Sequence, residues 1–149
     1  MRLYLVRHGE ALSQDEDPER GLSATGMHDI NKVASHMAAR GVAVESIFHS
    51  GKKRARQTAE IIAGAIDVKK DVFEAAGLRP EDDPSIWAGK LSGMEKDVML
   101  VGHLPHLGAL ATRLTGVRGL TLGTGQAICI MLGKDGSGSV KWTVAPQGI

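Results

Sequence analysis

At 149 residues the chain has room for one domain with a real core and not for two ordinary ones. Eighteen Lys and Arg against seventeen Asp and Glu leave a formal net charge of +1, which excludes an overall field drawing the protein to nucleic acid or an acidic membrane. Aromatics make up 3% and glycines number 19, so the core must be aliphatic and the loops tight, while a single cysteine excludes an internal disulfide.

Leu3 to Val6 is a short apolar run that predicts a buried strand delivering Arg7, His8 and Gly9 at its C-terminal edge, where open α/β sheets place chemistry. The run is far shorter than a signal-peptide core or a membrane span, so a cytoplasmic location is expected. Ser13 to Arg20 reads as a polar surface loop. Met27, Ile30, Val33, Ala34, Met37 and Ala38 then recur at helical spacing, with Ser23 or Thr25 as N-cap and Gly41 as the stop.

Val44 to Phe48 predicts a second strand, His49-Ser50-Gly51 a turn, and the stretch from about Lys52 to Ala65 a helix. Ala55, Ala59, Ile62, Ala63 and Ile66 form the apolar stripe of that helix. A short strand is expected near Val72-Phe73, and Asp83-Pro84 has the N-cap and first-turn proline of another helix. Val98 to Val101 is a strand ending at Gly102-His103, followed by a helix from Pro105 to Leu114 closed by Gly116, which repeats the N-terminal arrangement.

Gln126 to Leu132 and Ser139 to Val144, joined by Asp135-Gly136-Ser137-Gly138, predict a terminal hairpin, with Cys129 as a buried strand thiol in a reducing compartment. Strands alternating with helices and then a hairpin imply one α/β domain over residues 1–149, a three-layer α/β/α sandwich with a mostly parallel central sheet.

His8 and His103 each follow directly on an apolar strand, so one sheet can bring both to the same edge although they are far apart in the chain. Arg7 adjoins the first, and Arg54 opens a helix that follows another strand. A phosphoryl group in flight spreads negative charge over three equatorial oxygens, and forked guanidinium donors match those oxygens better than any other side chain. The helix after His103 adds free N–H groups at its start. These residue types fit phosphoryl transfer.

Leu5-Val6-Arg7-His8-Gly9-Glu10-Ala11 resembles the N-terminal signature of the histidine phosphatase superfamily, whose members include phosphoglycerate mutases. Leu22-Ser23-Ala24-Thr25-Gly26 is similar to the family's Leu-Thr/Ser-x-x-Gly element. Ser50-Gly51-Lys52-Lys53-Arg54-Ala55-Arg56-Gln57-Thr58-Ala59 resembles its Ser-x-x-x-Arg-Ala-x-Gln-Thr-Ala segment, and Val101-Gly102-His103-Leu104-Pro105 its second-histidine motif. The short length resembles the SixA-type phosphohistidine phosphatases.

The resemblance implies a phosphoglycerate mutase-like fold with His8 as nucleophile and Arg7, Arg54 and His103 as phosphoryl ligands, Gly9 and Leu104 completing the phosphate-binding set. It implies hydrolysis without metal or cofactor. The expected substrate is a phosphorylated histidine-containing phosphotransfer protein. The alternatives are a small sugar or nucleotide phosphate and, outside catalysis, a module that only binds phosphate.

Gly51 departs from the family pattern where Pro is common, which predicts a looser turn in front of Arg54, and His106 fills a variable position. Only Ile66 to Asp97 separates the second helix from the next clear strand, so a substantial lid has no room. A general acid is left open among Glu10, Glu81, Asp82 or none.

His103-Leu104-Pro105-His106 lacks the cysteine or spaced carboxylate of a metal site, and Lys52-Lys53-Arg54-Ala55-Arg56 lacks the aromatic interleaving of a nucleic-acid patch. Cys129 has no arginine soon after it, as a cysteine phosphatase would need. His28, His36 and His49 are expected at the surface or in loops, without a role.

Overall fold

The computed structural model describes all residues 1–149. In chain order the elements are β1 (Arg2–Arg7), α1 (Ala24–Ala39), β2 (Ala43–Val44), β3 (Ser46–His49), α2 (Lys53–Ala63), β4 (Asp67–Val68) and β5 (Val72–Glu74). They continue with α3 (Pro84–Leu91), β6 (Val98–Gly102), α4 (His106–Thr115), β7 (Ala127–Leu132), β8 (Gly138–Val144) and a 3₁₀ turn, Pro146–Gly148.

The main sheet has six strands in the order β5-β3-β6-β1-β7-β8. The β5/β3, β3/β6 and β6/β1 pairs are parallel, and the terminal hairpin adds β7 antiparallel to β1 and β8 antiparallel to β7. Alternation along β1 builds the two cores. Leu3 and Leu5 face Trp87, Leu91, Leu107, Leu110 and Leu114 of α3 and α4, while Tyr4 and Val6 face Ile30, Val33, Met37, Ala55, Ala59 and Ile62 of α1 and α2. A strand covered by helices on both faces must be apolar throughout, which is why this run lacks the polar alternation of a half-exposed strand. The layers are α/β/α, as expected.

The Ser23 hydroxyl accepts the Gly26 N–H at 3.0 Å and starts α1, and the Asp83 carboxylate accepts the Ser85 N–H at 2.9 Å and starts α3. Gly116 closes α4 in the left-handed conformation, φ +74°. No helix is long and apolar enough to cross a membrane.

Three expectations need correction. Val44 to Phe48 is two strands: β2 pairs with β4 in a separate two-stranded sheet, and β3 enters the main one. The break falls at Glu45, whose N–H donates to Asp97 O and whose carbonyl accepts from Lys70 N–H, so its backbone is held from outside the main ladder. Met27 is 42% exposed because Gly26, four residues before Ile30, takes the inward position on α1. That position tolerates no side chain, since a Cβ there would overlap the Glu10 carbonyl oxygen. His49 is not a surface residue: it ends β3 at 5% exposure, and its Nδ1 accepts the Gly51 N–H at 3.0 Å. His28 is exposed and His36 half-buried on α1.

Candidate active site

Strands β1 and β6 lie side by side and parallel, with Arg7 opposite Gly102. The His8 N–H continues the ladder to Gly102 O at 3.0 Å, so His8 and His103 leave the same sheet edge together. Their rings lie 5.0 Å apart between centroids, tilted by 50°. Strand β3, on the other side of β6, leads into the turn that starts α2 and brings in Arg54. Adjacent strand ends thus gather four residues from three separate stretches of sequence.

The His8 Nδ1 lies 2.7 Å from Gly9 O. A carbonyl only accepts, so Nδ1 carries the proton and Nε2 keeps its lone pair. Gly9 is itself clasped: its N–H donates to Thr58 Oγ1 at 3.1 Å, and the Thr58 hydroxyl donates to Arg54 O at 2.8 Å. One buried threonine therefore links the His8 loop to the helix turn bearing Arg54. Gly9 has no room for a Cβ, which would sit 2.8 Å from Ile30 Cγ1. With its N–H taken by Thr58 and its carbonyl by His8, Gly9 positions the imidazole.

His103 Nε2 lies 2.6 Å from Ser50 Oγ, which also accepts the Lys52 N–H at 3.3 Å. Arg7 Nη1 donates to Leu122 O at 2.9 Å, fixing that guanidinium from the loop before β7. Neither Arg7 nor Arg54 is in an ion pair. Arg7 Nε, Arg54 Nε and His103 Nδ1 are buried without a protein partner. Buried polar groups are nearly always paired, so this concentration of orphaned positions beside two uncompensated positive charges fits a site made to take an anion.

Burial pushes the His8 imidazole down to about 4, with the Arg54 and Arg7 charges adding to the effect against the opposing Gly9 bond. Burial likewise pushes His103 down to about 3, helped by His8 and Arg54. Both rings are neutral at pH 7, as a nucleophilic imidazole requires. Because the folded state binds these protons more weakly than an unfolded chain with a histidine value of 6.5, stability is full above about 6.5 and falls as pH drops toward 4. The urea midpoint should decline through that window, and less steeply in a His103→Gln variant. A midpoint that holds level from pH 6.5 to 4 would contradict the burial of the pair.

The carboxylates have other work. Glu10 Oε2 accepts from the Ser23 hydroxyl at 2.9 Å, beside the N-terminus of α1. Asp82 accepts the Arg79 N–H at 2.9 Å, Asp83 caps α3, and Glu81 is exposed. Asp82 and Asp83 act electrostatically on His106, the first residue of α4, whose ring is 1% exposed with neither nitrogen bonded and whose pKa burial pushes down. Leu104 lines an open groove of about 640 Å³ together with Pro84, Pro105, Gly108 and Leu120.

Gly51 adopts φ +90°, which the proline ring cannot reach, so this turn is built differently from a proline turn. The expected looseness is replaced by ties: Gly51 N–H to His49, and Lys52 N–H to Ser50. The positioning parts Ser50, Thr58, His49 and the Leu122 carbonyl were not singled out from the sequence. Ser50 and Thr58 stand in the quoted arginine segment, whereas a backbone carbonyl leaves no sequence signal.

The profile of the histidine phosphatase superfamily, branch 1, matches residues 3–94. An uncharacterized protein from Picosynechococcus is 36% identical over 119 residues, 74% of this chain and 71% of its own length. Among solved structures, the protein histidine phosphatase SixA complexed with tungstate superposes with TM-score 0.91 at 24% identity over 99% of each chain. A candidate alpha-ribazole-5′-P phosphatase from Escherichia coli superposes with TM-score 0.78 at 16% identity over 98% of each. At such identities the structural likeness establishes the fold.

Proposed function

Since the chain belongs to the histidine phosphatase superfamily, we propose that it hydrolyses phosphohistidine on a partner protein through a covalent phosphohistidine at His8. The observation that carries this reading is the Nδ1–H of His8 fixed on Gly9 O, which leaves Nε2 as a lone pair beside Arg7, Arg54 and His103. In the first step Nε2 attacks phosphorus in line, the P–N bond to the substrate imidazole breaks, and the leaving nitrogen takes a proton from solvent or a weakly acidic neighbour. Positive charge developing on the His8 ring is stabilised by the Gly9 carbonyl. Arg7, Arg54 and His103 hold the equatorial oxygens. Water then attacks phosphorus, inorganic phosphate leaves, and neutral His8 is restored.

Two features favour phosphohistidine over an ester. Glu10, Asp82 and Asp83 are engaged in caps and turns, so none of these three is free to protonate a leaving alkoxide, whereas a phosphoimidazole nitrogen needs less help. Between α2 and β6 the chain carries only the short β4, β5 and α3, which leaves no room for a substantial inserted lid. An open pocket admits a residue projecting from a protein surface. A partner of this kind is a histidine-containing phosphotransfer domain. The second reading, a small phosphate ester as substrate, is favoured by the likeness to the Escherichia coli protein.

The test compares kcat/KM for a phosphohistidine-bearing phosphotransfer domain with that for sugar and nucleotide monophosphates. We expect an advantage of about tenfold or more for the domain, equivalent to at least ~1.4 kcal/mol of transition-state stabilisation. A clear advantage for any ester would replace the substrate and leave the His8 chemistry in place.

A further inference from the structure

Arg20 ends the polar loop that leads into α1, and it is the one non-glycine residue with a positive φ, 51°. A left-handed arginine is uncommon and is kept only where its surroundings hold it. Here the holding is explicit. The Arg20 N–H donates to Asp17 O at 2.8 Å, and its Nε donates to Leu12 O at 3.0 Å. Asp17 accepts the Gly21 N–H at 2.8 Å and pairs with Lys53 at 3.0 Å, while the Leu22 N–H donates to Gln57 at 2.7 Å. Lys53 and Gln57 lie one turn apart on α2, on either side of Arg54 in sequence, so the loop carrying Arg20 is fastened to the turn that carries Arg54.

Arg20 is exposed and in no ion pair. Its charge reaches the centre, lowering the pKa of both His8 and Arg54. The two like charges therefore act on each other, an arrangement that an incoming anion relieves. The phosphoryl group does not need this third guanidinium, because its three equatorial oxygens already have Arg7, Arg54 and His103. Nor is Arg20 placed to fold inward, with its Nε held on the Leu12 carbonyl at the rim.

We propose that Arg20 is a specificity-determining residue that binds a second anionic group, a carboxylate on the partner protein's surface next to the phosphorylated histidine. This rests on the reading of the substrate as a phosphohistidine protein. The arginine fork suits a carboxylate, and at a rim such a contact acts on encounter and KM more than on the chemical step.

The experiment uses the full chain as Arg20→Gly, which accepts the left-handed backbone, and as Arg20→Glu, with thermal unfolding recorded for both. Two substrates are compared: a phosphohistidine-bearing phosphotransfer domain, and phosphoramidate, which has no second anionic group. Arg20→Gly should raise KM for the domain about tenfold and flatten its dependence on ionic strength, Arg20→Glu should raise it further, and kcat on phosphoramidate should stay within about twofold. Equal losses on both substrates would overturn the proposal by assigning Arg20 to the phosphoryl pocket. Unchanged values on both, in a wild type that prefers the domain, would overturn it by reducing Arg20 to a loop residue. A wild type without preference for the domain would instead overturn the substrate reading, and this proposal with it.

Discussion

His8→Ala is expected to abolish turnover and leave a folded protein. The imidazole stands at the edge of the sheet and makes one side-chain hydrogen bond, to Gly9 O, so the fold loses on the order of 1 kcal/mol with it. Chemistry loses its nucleophile, and His103 keeps its own place, its Nε2 held on Ser50 and its Nδ1 left for the phosphoryl oxygens. Circular dichroism and thermal unfolding check the fold, and phosphate release checks activity. Wild-type protein quenched during turnover should carry label on His8 that acid removes, because P–N bonds hydrolyse in acid and phosphate esters resist it. A folded His8→Ala protein with full activity would end the reading of His8 as nucleophile.

Arg54→Ala and Arg7→Ala should each lower kcat/KM by about 10²-fold or more, the effect of removing preorganised positive charge at the transition state. Lysine should rescue poorly at either position, since an ammonium cannot reproduce the guanidinium fork. Arg7 has a further reason: its Nη1 is tied to Leu122 O, an anchor that fixes the orientation of the remaining donors. The control is Arg56→Ala. Arg56 lies two residues from Arg54 but pairs with Glu60 at 3.6 Å on the solvent side of α2, an i,i+4 pair contributing about 0.5 kcal/mol at most. Its loss should leave kcat/KM within about twofold. Were Arg56 essential and Arg54 dispensable, the assignment of the phosphate-binding arginine on α2 would be wrong.

Much of this arrangement is legible in the sequence. Leu3 to Val6 and Val98 to Val101 are apolar enough to be buried on both faces, and each ends in a histidine, so the pairing of β1 with β6 follows from pattern and topology together. The α1 cap could be narrowed to Ser23 or Thr25, of which Ser23 serves, and Asp83 could be read directly, because capping is local chemistry. Other features were not readable, for definite reasons. Two-residue strands such as β2 and β4 have no period to detect, and the break at Glu45 is imposed by Asp97 and Lys70 from distant segments. The burial of His49 depends on what packs over the end of β3, which no neighbour in sequence reveals. Thr58 and Ser50 act through bonds spanning 49 and 53 residues.

The seating of β1 between β6 and β7 has a bearing on how the molecule opens. Its residues Leu3 to Val6 are buried on both sides, so backbone amides at the sheet centre can exchange with solvent only in openings close to global unfolding. Arg7, His8 and His103 stand at the ends of that pair of strands and share its resistance to opening. Arg20 stands on an exposed loop outside the sheet, held by its bonds to Leu12 and Asp17 and through Asp17 to Lys53. The histidines thus stand on the buried centre of the sheet and Arg20 on an exposed loop, so a substitution of the Arg20 side chain removes no contact from the strands that carry them.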